Sequence, residues 1–143
     1  MATRKIFALA VLFLTGCSSQ NMAAFMEGMA SGASSHTSNL IIYGGQSHKQ
    51  FLGCLNCSEY DSNSVMNSYG NYGSSYSSTS INNSYSEYGS SYSQFSACNR
   101  YATTPPVIVD SQGNFYGYLT INQYKSQAIK DRNIVTWLDS ICE

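Results

Sequence analysis

Two cysteines with the spacing of thiol–disulfide exchange motifs stand three positions apart, Cys54 and Cys57. Redox chemistry of that kind needs the first cysteine at the start of a helix that follows a strand, because the helix N-terminus lowers the pKa of its thiol. Here the pair follows two short apolar segments and precedes a Ser- and Tyr-rich stretch. We therefore favour a structural disulfide over a redox-active one.

Other patterns that could do chemistry are weak. His36 and His48 lack metal-ligand spacing and form no Ser-His-acid motif. His36 lies in a predicted tether and His48 in a predicted turn, so we expect both to be solvated. Cys98 and Cys142 stand alone, whereas a zinc site built from four cysteines needs a second close pair. We predict no enzyme, no metal and no cofactor.

The N-terminal stretch up to Cys17 has the organisation of an export signal. Arg4 and Lys5 precede an uncharged apolar run that ends in Leu14-Thr15-Gly16-Cys17. A positive start, a short apolar run and small residues at the cut site are typical of a signal peptide. The last four residues resemble the lipobox of bacterial lipoproteins. The resemblance implies that residues 1–16 are removed and that Cys17 is acylated, with palmitate for example.

The same resemblance predicts a location. The protein would lie in the cell envelope, attached to the membrane through its lipid. Ser18 stands where an Asp would retain a Gram-negative lipoprotein in the inner membrane, so its presence favours the outer membrane in such a cell. No other stretch approaches the roughly 20 apolar residues of a spanning helix.

Charge argues against nucleic acid as a partner. Removal of residues 1–16 leaves five Lys and Arg against eight Asp and Glu, a net charge near −3. The sequence holds no basic cluster of the kind that neutralises phosphates.

Cysteine parity predicts two disulfides. Lipidation of Cys17 leaves four cysteines, an even set that favours disulfides in an exported protein, with three connectivities open. We prefer a local Cys54–Cys57 bridge with Cys98 joined to Cys142. The alternatives, in which Cys54 or Cys57 reaches across the domain, stay open.

Residues 17–38 are rich in Ser, Ala, Gly and Met, which predicts a flexible tether. Residues 39–143 are predicted to form a single repeat-containing domain. It begins with a hairpin of two strands, 40–43 and 49–55, and continues after the repeats with strands 107–110 and 114–122. The intervening Ser111-Gln112-Gly113 predicts a hairpin loop rather than a calcium site, since calcium needs alternating carboxylates. Apolar spacing predicts a final helix over 131–142.

An internal repeat runs from position 59 to position 102, with equivalent residues at equal intervals along the chain. Its regularity indicates one small structural unit used again. Four columns recur in three copies: Tyr60, Tyr76 and Tyr92; Ser64, Ser80 and Ser96; Asn67, Asn83 and Asn99; and Tyr69, Tyr85 and Tyr101. The period is therefore sixteen, with no insertion between copies.

Each copy is expected to contain a single helical turn. Ser64 and Ser80 are suitable N-caps, and Gly70 is placed to end the first turn in a left-handed conformation. The competing interpretation is a disordered low-complexity tract, because Ser, Gly and Asn dominate. The predicted fold is α+β or mostly β, with two hairpins that flank the Tyr/Ser/Asn/Gly repeats and a closing C-terminal helix.

The domain also resembles a group of small uncharacterised bacterial secreted proteins. The resemblance is carried by Phe51-Leu52-Gly53-Cys54-Leu55-Asn56-Cys57-Ser58, by the Tyr-Gly-x-Tyr-Gly-Ser copies, and by 105–110 with 113–117. It implies that Cys54 and Cys57 belong to a shared design, and it implies no activity.

The tyrosines suggest two roles. Tyr72 and Tyr88, each followed by glycine, are candidates for stacking on sugar rings. The column of Tyr69, Tyr85 and Tyr101 is expected to fill the core, with its hydroxyls paired to Ser and Asn.

The sequence thus predicts a lipid-anchored cell-envelope protein with a structural or protein-interaction role. The alternative is a carbohydrate- or peptidoglycan-binding module that uses exposed tyrosines. A thiol–disulfide accessory that uses Cys54 and Cys57 is a third, less favoured hypothesis. The expected partners are the membrane, through the lipid, and an envelope protein or glycan.

Overall fold

The computed structural model describes residues 38–143, so the predicted signal peptide, Cys17 and the tether up to residue 37 lie outside the described residues. Four strands form one antiparallel sheet in the order β2-β1-β3-β4. They are β1 Leu40–Gly44, β2 Gln50–Cys54, β3 Val107–Asp110 and β4 Phe115–Tyr118, and one helix, α1, spans Arg132–Ile141. The expected combination of a small sheet and a C-terminal helix is confirmed. Within 38–143 no helix has the length and apolarity needed to cross a bilayer.

The two hairpins meet through β1 and β3, which are far apart in sequence. Ile42 lies opposite Ile108 across this pair, and both side chains are fully buried. β-Branched side chains suit such a pleated, covered surface. This pair therefore anchors the centre of the sheet.

The β3–β4 hairpin is organised by a buried aspartate. Asp110 Oδ1 accepts hydrogen bonds from the amides of Gln112 and Asn114 at 2.9 Å, and Oδ2 accepts one from Asn114 Nδ2 at 2.8 Å. The bond from the Asn114 side chain is the main reason that the pKa of Asp110 lies below its usual value, while burial opposes the shift. Gly113 takes the positive φ of 87° that this loop requires.

β4 ends at Tyr118, before the predicted end of the strand at position 122. The Thr120 hydroxyl accepts a hydrogen bond from the amide of Asn122, and the Asn122 side chain accepts one from the amide of Tyr124. These side chains compete with the ladder for backbone amides and turn the chain away from the sheet.

Residues 58–102, which we call the turn segment, contain neither helix nor strand. The predicted helical turns are wrong, and Gly70 does not take a positive φ. Ser, Asp or Asn instead recurs at almost every third position, and its side-chain oxygen accepts a hydrogen bond from the amide two residues later. This bond is present at thirteen positions: 58, 61, 64, 67, 74, 77, 80, 83, 86, 90, 93, 96 and 99.

The period of the sequence repeat arises from these turns. Four steps of three positions are followed by one of four, where the amide of Ser74 donates to the Gly70 carbonyl and that of Ser90 to the Ser86 carbonyl, both at 3.0 Å. One copy is therefore sixteen residues long.

One apolar column of the repeat faces the core in all three copies. Val65, Ile81 and Ala97 are at most 1 % exposed and occupy equivalent positions in the three copies. They share one cluster with Ile42 and Leu52 of the sheet. The turn segment therefore gains its apolar contacts largely from the sheet, since so few apolar residues cannot form a core alone.

Two glycines allow the turns to pack closely. A Cβ on Gly73 would collide with the backbone of Asn67, and a Cβ on Gly89 would collide with the carbonyls of Ile81 and Asn83. Any side chain at either position would force the backbone apart.

Helix α1 closes the domain. The Asp131 side chain accepts hydrogen bonds from the amides of Asn133 and Ile134, as an N-cap does, and Leu138 is buried in the shared core. Cys142 follows the helix and lies at disulfide distance from Cys98, while Cys54 lies at disulfide distance from Cys57. These are the two preferred pairs.

The two bridges should differ in their effect on stability. Replacement of Cys98 and Cys142 by Ser should lower the free energy of unfolding by about 4 kcal/mol, because a 44-residue separation closes a long loop in the unfolded chain. The same change at Cys54 and Cys57, three residues apart, should lower it by about 2 kcal/mol. Guanidinium unfolding of the two double variants measures the difference. Equal losses would contradict the loop-closure explanation.

Candidate binding surface

Seven of the twelve tyrosines project into solvent. Their exposed fractions lie between 85 and 100 %. Six of them form the two repeat columns, which we call the first column and the second column, and the seventh follows β4. They are Tyr60, Tyr76 and Tyr92 in the first column, Tyr69, Tyr85 and Tyr101 in the second, and Tyr124.

All seven exposed tyrosines occupy the same position in a turn. The amide of each donates a hydrogen bond to the side-chain oxygen of a Ser or Asn two residues earlier. The turn uses only this amide, so any residue except proline would satisfy it. An exposed ring also buries little apolar surface and adds little to the stability of the fold. These rings are therefore available for contacts with another molecule.

The asparagine column fixes the second tyrosine column in place. Asn83 Nδ2 donates to the Ser77 carbonyl at 2.9 Å, and Asn83 Oδ1 accepts from the amide of Tyr85 at 3.0 Å. Asn67 and Asn99 repeat both bonds with the equivalent partners at 2.8–3.1 Å. An asparagine side chain supplies a donor and an acceptor together, which explains why this residue type serves here.

The burial of the tyrosines differs from the expectation. The second column, expected in the core, is 88–99 % exposed. Tyr88, assigned to ligand stacking from the sequence, is 8 % exposed and belongs to the core cluster. Tyr72 is half-buried, with its ring centroid 4.8 Å from that of Phe51. The burial of Tyr88 argues against ligand stacking by that ring, whereas stacking by Tyr72, which keeps part of its surface exposed, stays a prediction.

Tyr88 is held by its surroundings. Its ring covers Gly44, where an added Cβ would lie 3.2 Å from Tyr88 Cδ1. Burial is the main cause that raises its pKa, and the charge and hydrogen bond of the Glu87 carboxylate act in the same direction. The phenol is thus neutral at ordinary pH.

A cleft of about 410 Å³ opens between the two columns, bordered by Tyr76 of the first and Tyr85 of the second. Its volume is within the range of about 300–1,000 Å³ found for small-molecule sites. Gln50 of β2 extends the cleft onto the sheet. The remaining lining residues are Ser78, Thr79, Asn83, Ser86, Glu87 and Tyr88.

The other candidate residues have structural partners. His48, expected to be solvated, is half-buried, and its Nε2 lies 2.9 Å from the Pro105 carbonyl oxygen. Cys54 is buried and pairs with Cys57 at the end of β2, not at a helix start. Among residues 38–143, no three His, Cys, Asp or Glu side chains are grouped as metal ligands would be.

One exposed tyrosine lies outside the repeat found in the sequence. Tyr124 follows Asn122 as Tyr69, Tyr85 and Tyr101 follow their asparagines, and it uses the same bond. The shared pattern Asn-x-Tyr could have identified it, although the period of the repeat does not extend that far.

Removal of one asparagine side chain tests the link between turn and ring. Asn83→Ala should lower the free energy of unfolding by about 2 kcal/mol, because two hydrogen bonds are lost. Asn83→Ser keeps a side-chain acceptor of the kind used at Ser80 and should lose about half as much. The control Ser84→Ala, exposed in the same turn, should stay within about 0.5 kcal/mol of the unaltered protein. Urea unfolding gives all three values, and equal stabilities would contradict the role of Asn83.

Comparison with known proteins yields no match: no protein-family model, curated protein or solved structure matches the chain. The features that bear on function are those of the chain itself, namely the seven exposed tyrosines, the Ser and Asn turns beneath them, and the cleft between Tyr76 and Tyr85.

Proposed function

We propose that this chain is a non-enzymatic recognition protein of the bacterial cell envelope, held to the membrane by a lipid on Cys17, and that its ligand is an envelope glycan. The observation that carries the proposal is the set of seven tyrosine rings that are 85–100 % exposed above turns that do not need them. The turns fix the backbone beneath each ring, so only the side chains have to be ordered on binding.

The chemistry of the surface favours sugars. A pyranose presents a face of C–H groups that packs on an aromatic ring and a rim of hydroxyls that form hydrogen bonds. Tyrosine supplies the ring and a hydroxyl, and the neighbouring Ser and Asn residues supply further polar groups. The turn segment has four charged residues, Glu59, Asp61, Glu87 and Arg100, so ion pairing contributes little to recognition.

The regular spacing favours a polymer. Equivalent rings recur once per copy along each column, as at Tyr60, Tyr76 and Tyr92, so a chain of similar sugar units can meet equivalent contacts. Weak contacts that act together give an avidity well above that of each alone. Peptidoglycan and envelope polysaccharides are polymers of this kind.

A protein partner is the second candidate. The repeat is built from Tyr, Ser, Asn and Gly, which is also the composition of antibody binding loops. Such surfaces combine rigid aromatic contacts with adaptable hydrogen bonds. This composition supports the structural or protein-interaction role predicted from the sequence.

Retention on insoluble glycans separates the two candidates. The full chain, purified in detergent, should be retained on purified peptidoglycan or an envelope polysaccharide. Replacement of Tyr69, Tyr85 and Tyr101 together by Ala should weaken retention by at least about tenfold, because each ring contributes about 0.5–1.5 kcal/mol. The matched triple change to Phe keeps the rings and should retain most of the binding.

The outcomes are distinct. Circular dichroism should show that both triple variants remain folded, since the rings are exposed. If neither peptidoglycan nor any envelope polysaccharide retains the full chain, the glycan proposal fails. If an envelope protein is captured instead, and captured less by the Ala variant than by the Phe variant, the second candidate is supported.

A further inference from the structure

We propose that the cleft between Tyr76 and Tyr85 binds one uncharged pyranose unit, a neutral hexose or an N-acetylhexosamine, with Glu87 as its hydrogen-bond acceptor. This inference rests on the proposed function and specifies a site within it. The two tyrosines are 93 and 96 % exposed, and they border a cleft of about 410 Å³. One ring from each column therefore faces a space of the size of a small ligand.

The floor of this cleft is rigid. Asn83, Ser86 and Tyr88 line it and are at most 8 % exposed. Ser86 Oγ donates to the Ser80 carbonyl at 2.7 Å and accepts from the amides of Tyr88 and Gly89. Asn83 donates to the Ser77 carbonyl and accepts from the amide of Tyr85 in its own turn, so the floor keeps its shape without a ligand.

The rim provides the groups that a ligand would bond. Gln50, Ser78 and Glu87 are exposed side chains on the edge of the cleft. Glu87 is the exposed carboxylate of this rim, and its oxygen lone pairs are open to a ligand. A carboxylate accepts hydrogen bonds from sugar hydroxyls or from the amide N–H of an N-acetyl group more strongly than a neutral acceptor does.

Charge sets the selectivity. Glu87 is the one charged side chain among the described residues that line the cleft. A uronic acid or a phosphate-bearing unit would place a second negative charge beside this carboxylate and be repelled. An uncharged unit meets no such penalty. The cleft therefore favours neutral sugars over acidic ones.

Short oligosaccharides test the cleft, because they are too short to use a whole column. The full chain in detergent is titrated by calorimetry with three tetramers, of β-1,4-linked N-acetylglucosamine, β-1,4-linked glucose and galacturonic acid. At least one of the first two should bind, and the acidic tetramer should bind at least about tenfold more weakly. Tyr76→Ala and Tyr85→Ala should each weaken binding of the neutral tetramer by about tenfold.

Matched variants separate this site from the wider surface. Tyr60→Ala and Tyr101→Ala remove one ring from each column outside the cleft, and each should weaken tetramer binding less than Tyr76→Ala or Tyr85→Ala does. Glu87→Gln should weaken binding of the neutral tetramer about threefold or more and reduce the discrimination against the acidic one.

Several results would overturn the inference. If a polymer retains the chain but no tetramer binds, the cleft does not bind a sugar unit by itself. The same conclusion follows if the Tyr60→Ala and Tyr76→Ala variants lose tetramer binding equally, since the columns then bind without a distinct site at the cleft. The proposed function then stands and the cleft assignment falls. Equal affinity for acidic and neutral tetramers would contradict the role of Glu87. If polymer and tetramers both fail to bind, the proposed function and the cleft fall together.

Discussion

The hydrogen bond from a backbone amide to the Ser, Asp or Asn side chain two residues earlier is the interaction on which this domain depends. Residues 58–102 have neither a helix nor a strand to pair their backbone groups. Backbone groups left unpaired inside a protein are costly, so another partner is required. The side chains supply it at regular intervals, and the carbonyl of each turn residue commonly accepts from the amide three residues on.

This constraint explains the composition. Short polar side chains that reach their own backbone must recur at about every third position, and glycine must stand where two turns touch, as at Gly73 and Gly89. Few positions then remain for apolar residues. Val65, Ile81 and Ala97 pack against the sheet, and the sheet in turn is covered by the turns and by Leu138 of α1. Neither the turn segment nor the sheet has enough apolar surface to fold well without the other.

The same constraint leaves the tyrosines outside. An amide bonded to the turn residue fixes the backbone of Tyr85, for example, while its ring points to solvent. The rings are thus positioned by hydrogen bonds in which their own side chains take no part. The exposed tyrosines could therefore be replaced by other residues with little change in the free energy of unfolding. The residues that stabilise the domain are thus different from those that would contact a ligand.

Much of the outer frame can be predicted from the sequence. The short strand-like segments and the Gly113 loop are local signals that predict both hairpins. The cap and the apolar face of α1 predict the helix in the same way. The end of β4 differs from the prediction because Thr120 and Asn122 divert amides from the ladder. The turn segment differs because the long period of the repeat hides the three-position step within it. The burial of the tyrosine rings also differs from the prediction, since Tyr88 is buried and the second column is exposed. Burial here depends on contacts between turns, such as the close packing at Gly73 and Gly89, and sequence spacing does not show such contacts.

Amide hydrogen exchange at the second tyrosine column tests this account most directly. We expect the amides of Tyr69, Tyr85 and Tyr101 to exchange far more slowly in the native full chain than in the urea-unfolded chain, because each donates to an asparagine side chain at 2.9–3.1 Å. Their rings should remain open to solvent in the same sample. Exchange of these three amides at the unfolded rate would contradict the claim that side-chain hydrogen bonds hold the turns and aim the rings.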